Sequence, residues 1–346
     1  PLHFFFLALL TLGTVNLQAQ TYEATLTGNQ QVGPVKTVAS GEVTLNLSGN
    51  DLTVNGSFKN LSSAVDVTIA GGAHLHDSLA GANSGVLIPI PPTNLNEDST
   101  GGTFSINRTL DPASASELNA KLQNRQIYIN IHTQQYPSGE LRGQVVPSAD
   151  QLFYADLKGD KQNPPVNTNA SGGVIAELNG NQLTVSGAFS DLDSDFNFNV
   201  AGGAHLHFGD RDRNGGVTIP LNATLGNNLR NGRFIADSNT YSLNSDQLDS
   251  LNINHLYVNI HTQNNPGGAI RGQLNSQDFQ TYERSLSGVT QIPSVVSTGT
   301  GNATYKVIGE RLLLRGDFGD LTSPVDESIA GGAHIHAGRA GENGGI

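Results

Sequence analysis

The 346-residue chain contains no cysteine, methionine or tryptophan, and only 14% of its residues are charged. Without cysteine there is no disulfide framework and no thiolate metal site, so stability rests on burial and backbone pairing, helped at most by a metal held through other side chains. Nucleophilic catalysis finds no support: there is no thiol, no Gly-x-Ser-x-Gly element and no serine placed to work with a histidine motif. No glycine loop built to cradle phosphate opens a helix. The pattern singles out no carboxylate pair for glycoside hydrolysis. Basic residues are also scarce. Eighteen Lys and Arg face 30 Asp and Glu, for a formal net charge of −12. With no basic run, nucleic acid and anionic membrane surfaces are poor partners. What the chain has in quantity is glycine, 41 residues, with frequent Asn. That profile suits many short strands joined by tight turns and suits long helices poorly.

The first residues read as an export signal. Residues 2–12 form an apolar run around Phe4, Phe5 and Phe6, and Leu17-Gln18-Ala19 supplies a small-residue cleavage pattern. Residues 1–19 are therefore expected to be the hydrophobic and cleavage parts of a secretory signal peptide. The run is too short to span a bilayer comfortably, so no membrane span is expected after cleavage. The expected location is extracellular or at the cell surface, with a periplasm as a further exported compartment. The start on Pro1, without Met or a basic leader, and the stop at Ile346 suggest a piece of a longer reading frame.

Internal repetition is the strongest signal. Ala70-Gly-Gly-Ala-His74-Leu-His76 recurs as Ala201-Gly-Gly-Ala-His205-Leu-His207 and as Ala330-Gly-Gly-Ala-His334-Ile-His336, each about 130 residues after the last. A second block, Ile127-Tyr-Ile-Asn-Ile-His132-Thr with Gly139-Glu-Leu-Arg142-Gly-Gln144, recurs as Leu256-Tyr-Val-Asn-Ile-His261-Thr with Gly268-Ala-Ile-Arg271-Gly-Gln273. The openings Thr21-Tyr22-Glu23, Phe153-Tyr154-Ala155 and Thr281-Tyr282-Glu283 match as well, each at the start of a unit. A period of this size is a whole domain rather than a solenoid repeat. The expected units are 20–148, 149–277 and a truncated third at 278–346, joined by short polar linkers. Period-2 alternation either side of Ser48-Gly49-Asn50, and again around Asn179-Gly180-Asn181, predicts hairpins. Helical stretches are expected only at 114–123 and 245–251. The fold class is all-β: tandem antiparallel β-sandwich or flattened-barrel domains with at most one short helix each.

The paired blocks resemble the CHRD domain, a family named for the repeated domains of chordin and common in exported bacterial proteins. Gly-Gly-Ala-His-x-His followed by Tyr-x-Asn-Ile-His-Thr and Gly-x-x-Arg-Gly-Gln carries the resemblance, which covers nearly all of 21–346. It implies an extracellular β domain and little about activity.

Ten histidines are present. Apart from His3 in the leader and His255, all sit in the two motifs. In a strand, residues i and i+2 share a face. His74 and His76 therefore point together, and Tyr128, Asn130 and His132 oppose Ile127, Ile129 and Ile131. If the two strands are neighbours, three imidazoles converge on the polar face, away from the main core. Three neutral imidazoles with one open position make a good Cu(II) or Zn(II) site. The expected metal ligands are His74, His76 and His132, then His205, His207 and His261, with His334 and His336 as an incomplete third set. The competing expectation is that these histidines hydrogen-bond glycine-rich turns and hold loop geometry. Arg142 and Arg271 project to the same face, either as an anion contact or, as the commoner arrangement, paired with a carboxylate such as Glu140. The run Asp210-Arg-Asp212-Arg-Asn214-Gly215 has the start of a calcium loop but no bidentate Glu at the required distance, so calcium is not the expected ligand.

Three functions are compatible with this pattern. The foremost is a non-catalytic surface, matrix or fibre component stiffened by copper or zinc, whose partners are other copies of itself or other surface proteins. A copper redox enzyme is the second, because Ala204-His-Leu-His-Phe-Gly-Asp210 is locally similar to the copper strand of Cu/Zn superoxide dismutase. That family's further ligands and its disulfide have no equivalents here. An extracellular protein-ligand-binding module is the third.

Overall fold

The computed structural model describes residues 20–278, 281–308, 311–339 and 342–346; the expected signal peptide at 1–19 lies outside them. The first unit contains β1 (Thr21–Thr27), β2 (Ser40–Ser48), β3 (Asp51–Lys59), β4 (Ala73–Asp77), β5 (Val86–Pro89), β6 (Asn94–Leu95), β7 (Gly102–Thr109), α1 (Pro112–Gln123), β8 (Ile127–Ile131) and β9 (Leu141–Pro147). The second contains β10 (Gln151–Lys158), β11 (Ser171–Asn179), β12 (Gln182–Ser190), β13 (Ala204–Phe208), β14 (Val217–Pro220), β15 (Ala223–Leu225), β16 (Gly232–Phe234), β17 (Thr240–Ser242), α2 (Ser245–Asn252), β18 (Leu256–Ile260), β19 (Ile270–Gln273) and β20 (Asn275–Ser276). A third sheet is made of β21 (Thr281–Ser287), β22 (Thr300–Ile308) and β23 (Arg311–Gly319).

Local sequence accounts for the hairpins. Val43, Leu45, Leu52 and Val54 alternate with polar neighbours and are buried, so β2 and β3 share one apolar face. They pair from Ser48↔Asp51 to Ser40↔Lys59, around Gly49 at φ +57°. The second unit repeats this from Asn179↔Gln182, around Gly180 at φ +59°. The two sheets then have the same order. The first runs β5-β4-β8-β9-β1-β2-β3-β7-β6, and the second β14-β13-β18-β19-β10-β11-β12-β16-β15. Each curls as an antiparallel half-barrel around its own core. The first core holds Leu26, Leu45, Val54, Leu75, Ile129 and Val145; the second holds Phe153, Leu157, Val174, Leu206, Val258 and Ile270.

The two helices form near the expected positions. α1 begins two residues early because Asp111 caps it, accepting from the Ala113 and Ser114 backbone N–H, with Pro112 opening the first turn. α2 starts with a capping box between Asn244 and Gln247. None of the described helices is long and apolar enough to cross a membrane.

The aligned openings need correction by one residue. Thr27↔Ser40 and Lys158↔Ser171 are equivalent pairs, which makes Tyr22 the counterpart of Phe153, not of Tyr154. A one-residue slip moves a side chain to the other face of its sheet. Tyr22 and Phe153 enter the cores, whereas Tyr154 points outward and packs with Ala80, Val146 and Ile175.

Candidate metal centre

β4 and β8 are hydrogen-bonded neighbours, with His74 opposite Asn130 and His76 opposite Tyr128. The glycine pair before β4 fixes how they meet. Gly72 has φ +89°, and a Cβ there would sit 2.4 Å from Val65 Cγ1. Its carbonyl accepts the His132 backbone N–H at 2.9 Å, which ties the end of β8 to the start of β4. Gly203 and His261 repeat the arrangement, with φ +90° and a 2.9 Å bond.

The predicted faces are found. Ala73, Leu75, Ile127, Ile129 and Ile131 enter the core, and His74, His76 and His132 lie on the opposite side of the sheet. That side is not open, however. The three rings are buried beneath the turn before β4 and the loops after β4 and β8, with His74 fully enclosed. Ring centroids are 5.0 Å apart for His74–His76 and 4.5 Å for His74–His132.

Each ring uses one nitrogen to hold a loop. His74 Nε2 meets Ile69 O at 3.2 Å, His76 Nδ1 meets Ser84 O and Gly85 O at 3.0 Å, and His132 Nδ1 meets Pro137 O at 2.7 Å. A backbone carbonyl only accepts, so each of these nitrogens carries the proton and donates. The other nitrogen of each ring is then a lone pair. His74 Nδ1, His76 Nε2 and His132 Nε2 are all buried and without a protein partner. In the second unit His205 Nε2 bonds Ala201 O, His207 Nδ1 bonds Gly215 O and His261 Nδ1 bonds Pro266 O. His205 Nδ1, His207 Nε2 and His261 Nε2 are left over. The loop-holding role and the ligand role therefore fall on different nitrogens of the same rings.

In each triad the three ligand atoms lie within 4.8 Å of one another. Donors sharing one ion at about 2.0–2.1 Å sit roughly 3.3–4 Å apart, so closure asks for a contraction of at most about 1.5 Å. The donor set is all imidazole, which suits copper or zinc and does not suit calcium. Burial pushes His74 down to about 4, with His76 and His132 adding repulsion, and His261 likewise to about 4. Burial also lowers His76, His132 and His207. These five rings are thus neutral near pH 7, the form that binds metal.

The recurring Tyr and Arg belong to this site, in a way the sequence pattern did not reveal. Tyr128 stacks on His76 with centroids 4.6 Å apart and planes 3° from parallel, and Arg142 lies 3.5 Å over the other face of Tyr128. Tyr257 and Arg271 repeat this beside His207. The expectation of an Arg142–Glu140 pair is wrong. Arg142 is buried and donates to Leu79 O and Asn83 Oδ1 at 3.0 Å, while Glu140 accepts from Thr37, Ser62 and Thr133. The only sequence signal was recurrence of Tyr and Arg at fixed spacing in both second blocks.

Other sequence candidates fall elsewhere. The 210–215 loop spends its acceptors internally: Asp210 O, Arg213 O and Asn214 Oδ1 bond Arg271, and the Asp210 carboxylate bonds His255 at 2.6 Å. It presents no calcium cage. His334 and His336 are exposed and outside any strand, with centroids 4.7 Å apart and no third ring beside them among the described residues.

Comparison with known proteins agrees with the repeat. The family model of the CHRD domain matches residues 22–145 and again 153–274. Chordin of Xenopus laevis is 26% identical over 174 residues, covering 47% of this chain and 18% of chordin. The chain therefore spans under a fifth of that relative's length. No solved structure matches the chain.

Proposed function

The chain belongs to the CHRD domain family, and on that footing we propose that each of its two complete units holds one copper or zinc ion through three histidines, within an exported, non-catalytic scaffold. The ligands are His74, His76 and His132 in one unit and His205, His207 and His261 in the other. His334 and His336 would form part of a third set. The observation that carries this reading is the pattern of unpaired nitrogens. Six imidazoles each have one nitrogen bonded to a backbone carbonyl and the other buried with no partner, three such nitrogens to a cluster.

An unmade bond at a buried polar atom costs about 1–3 kcal/mol, so each metal-free cluster carries several kcal/mol of unmet bonding. Packing aliphatic side chains would avoid that cost, and coordination offsets it. Carbonyl bonds on the outer nitrogens fix tautomer and ring orientation, as second-shell groups of metal sites do. Within each unit the ion would tie β4 to the end of β8, or β13 to the end of β18, and stiffen the fold where no disulfide can.

The proposed setting is extracellular or cell-surface, with units 20–148 and 149–277 followed by a third from 278. The proposed partners are further copies of the chain or other surface proteins; the similarity to chordin favours protein partners over small substrates. The test is elemental analysis of untagged protein purified without added metal, then after incubation with Cu(II) or Zn(II) and desalting. About two equivalents per chain are expected. Absence of bound metal in every sample removes the reading.

A further inference from the structure

The two triads match, but the loops that orient them are braced differently. In the second unit, loop 209–216 is exposed on its outer side and held by its own unit. Asp210 pairs with His255, Asn163 Nδ2 donates to Asp212 O, and Asn214 Nδ2 donates to Asn163 O. In the first unit the corresponding loop is 78–85, and the side chains behind two of these three bonds are replaced. Leu79 stands where the second unit has Asp210, Gln126 where it has His255, and Val32 where it has Asn163. Loop 78–85 nevertheless carries the same duties. Ser84 O and Gly85 O hold His76, Leu79 O and Asn83 hold Arg142, and the Ser84 N–H bonds the Tyr128 hydroxyl.

What replaces the missing braces is the second unit itself. The tip of loop 78–85 lies on β11 and β12. Ala80 O accepts the Ala188 backbone N–H at 2.8 Å. Gly81 meets Gly173 so closely that a Cβ on Gly173 would sit 2.7 Å from Gly81 N. Ala80 is buried with Val146, Tyr154 and Ile175, and Arg125 grips Glu177 with two bonds of 2.9 and 3.0 Å at the rim. The tip sequences fit their tasks: Ala80-Gly81-Ala82 is small enough to be covered, while Arg211-Asp212-Arg213 is charged and stays in water.

We infer that the second unit is the outer wall of the first unit's metal site: docking on β11 and β12 positions loop 78–85, so metal retention at His74, His76 and His132 depends on the joint between units, while the second site is self-sufficient. This rests on the metal reading above. Gly173, Ala188 and Glu177 are positioning residues, acting through the loop on His76. The coupling is reciprocal: an ion that fixes His76 also fixes the loop and tightens the joint.

The experiment uses the full chain with Gly173→Val, which pushes the loop tip off β11, and the milder Glu177→Gln. Each is built in a His207→Ala background that isolates the first site, and in a His76→Ala background that isolates the second. Release of Zn(II) to a chelator is followed by stopped flow. Release from the first site should quicken roughly 10- to 100-fold with Gly173→Val and less with Glu177→Gln; release from the second should stay within about twofold, reporting that unit's integrity. Unchanged release from the first site, or equal acceleration at both, overturns the inference. If the parent chain binds no Zn(II) at either site, the metal reading fails by itself and amide hydrogen exchange decides the joint. Faster exchange at Ala82 and Ser84 in Gly173→Val, with Arg213 and Gly215 unchanged, upholds positioning by the second unit; unchanged exchange at Ala82 and Ser84 refutes it.

Discussion

A histidine has two nitrogens, and in this protein they have separate tasks. The outer nitrogen of each triad ring is a donor to a carbonyl at the root of a turn, so the inner one is a lone pair facing two others. The enclosure that shields these lone pairs also opposes protonation, and this sets a pH dependence. His74 and His261 are held down to about 4 by burial, with neighbouring histidines reinforcing it, against about 6.5 for an exposed histidine in the unfolded chain. Between those values the unfolded chain binds more protons than the folded one, so stability of the metal-free protein rises with pH through the window. The histidine contribution is fully present above about pH 6.5 and is lost as pH falls toward 4. Denaturant midpoints of metal-free protein at pH 7 and pH 5 should show the lower value at pH 5; equal midpoints would mean that the rings are not held neutral by the fold.

At the scale of strands and turns, much was legible. Hairpins could be read because apolar and polar residues alternate without interruption on both sides of Ser48-Gly49-Asn50. The convergence of His74 and His76 with His132 followed from side-chain parity alone, given adjacent strands. Two things were not legible. The opening of the second unit slips by one residue because both Phe153 and Tyr154 are aromatic, and only pairing register shows which enters the core. Glu140 looked like a partner for Arg142 because they are close in sequence, yet it is buried and serves the turn after β8. It accepts from Thr37 Oγ1 at 2.6 Å, from Ser62 N at 2.9 Å and from Thr133 Oγ1 at 3.0 Å. The second unit has Ala269 at this position and moves the carboxylate to Asp193, the counterpart of Ser62. Asp193 accepts from Thr262 and Asn265. One carboxylate beneath the threonine that follows the third histidine is thus kept by two different strand contexts. Glu140→Ala should cost on the order of 3 kcal/mol in chemical denaturation by orphaning several buried donors. Adding Ser62→Asp should recover at least half of that loss, a coupling expected only of direct neighbours. Simple additivity of the two changes would contradict the exchange.

At the scale of the whole molecule, a repeated sequence has produced two sites of one design with different dependence on their surroundings. Both have the same three inward nitrogens, the same Tyr–Arg stack and a carbonyl tether on each ring, and the ion would supply the cross-link that a cysteine-free chain lacks. The surface of one site is water and of the other is the neighbouring unit, so the array has a direction. The most direct measurement is an anomalous difference map from crystals of the chain loaded with Zn(II) or Cu(II), collected at the metal's absorption edge. One peak is expected at about 2.0–2.1 Å from His74 Nδ1, His76 Nε2 and His132 Nε2, and a second in the same relation to His205 Nδ1, His207 Nε2 and His261 Nε2. A loaded crystal with no peak at either triad, or with metal bound only at other residues, would contradict it.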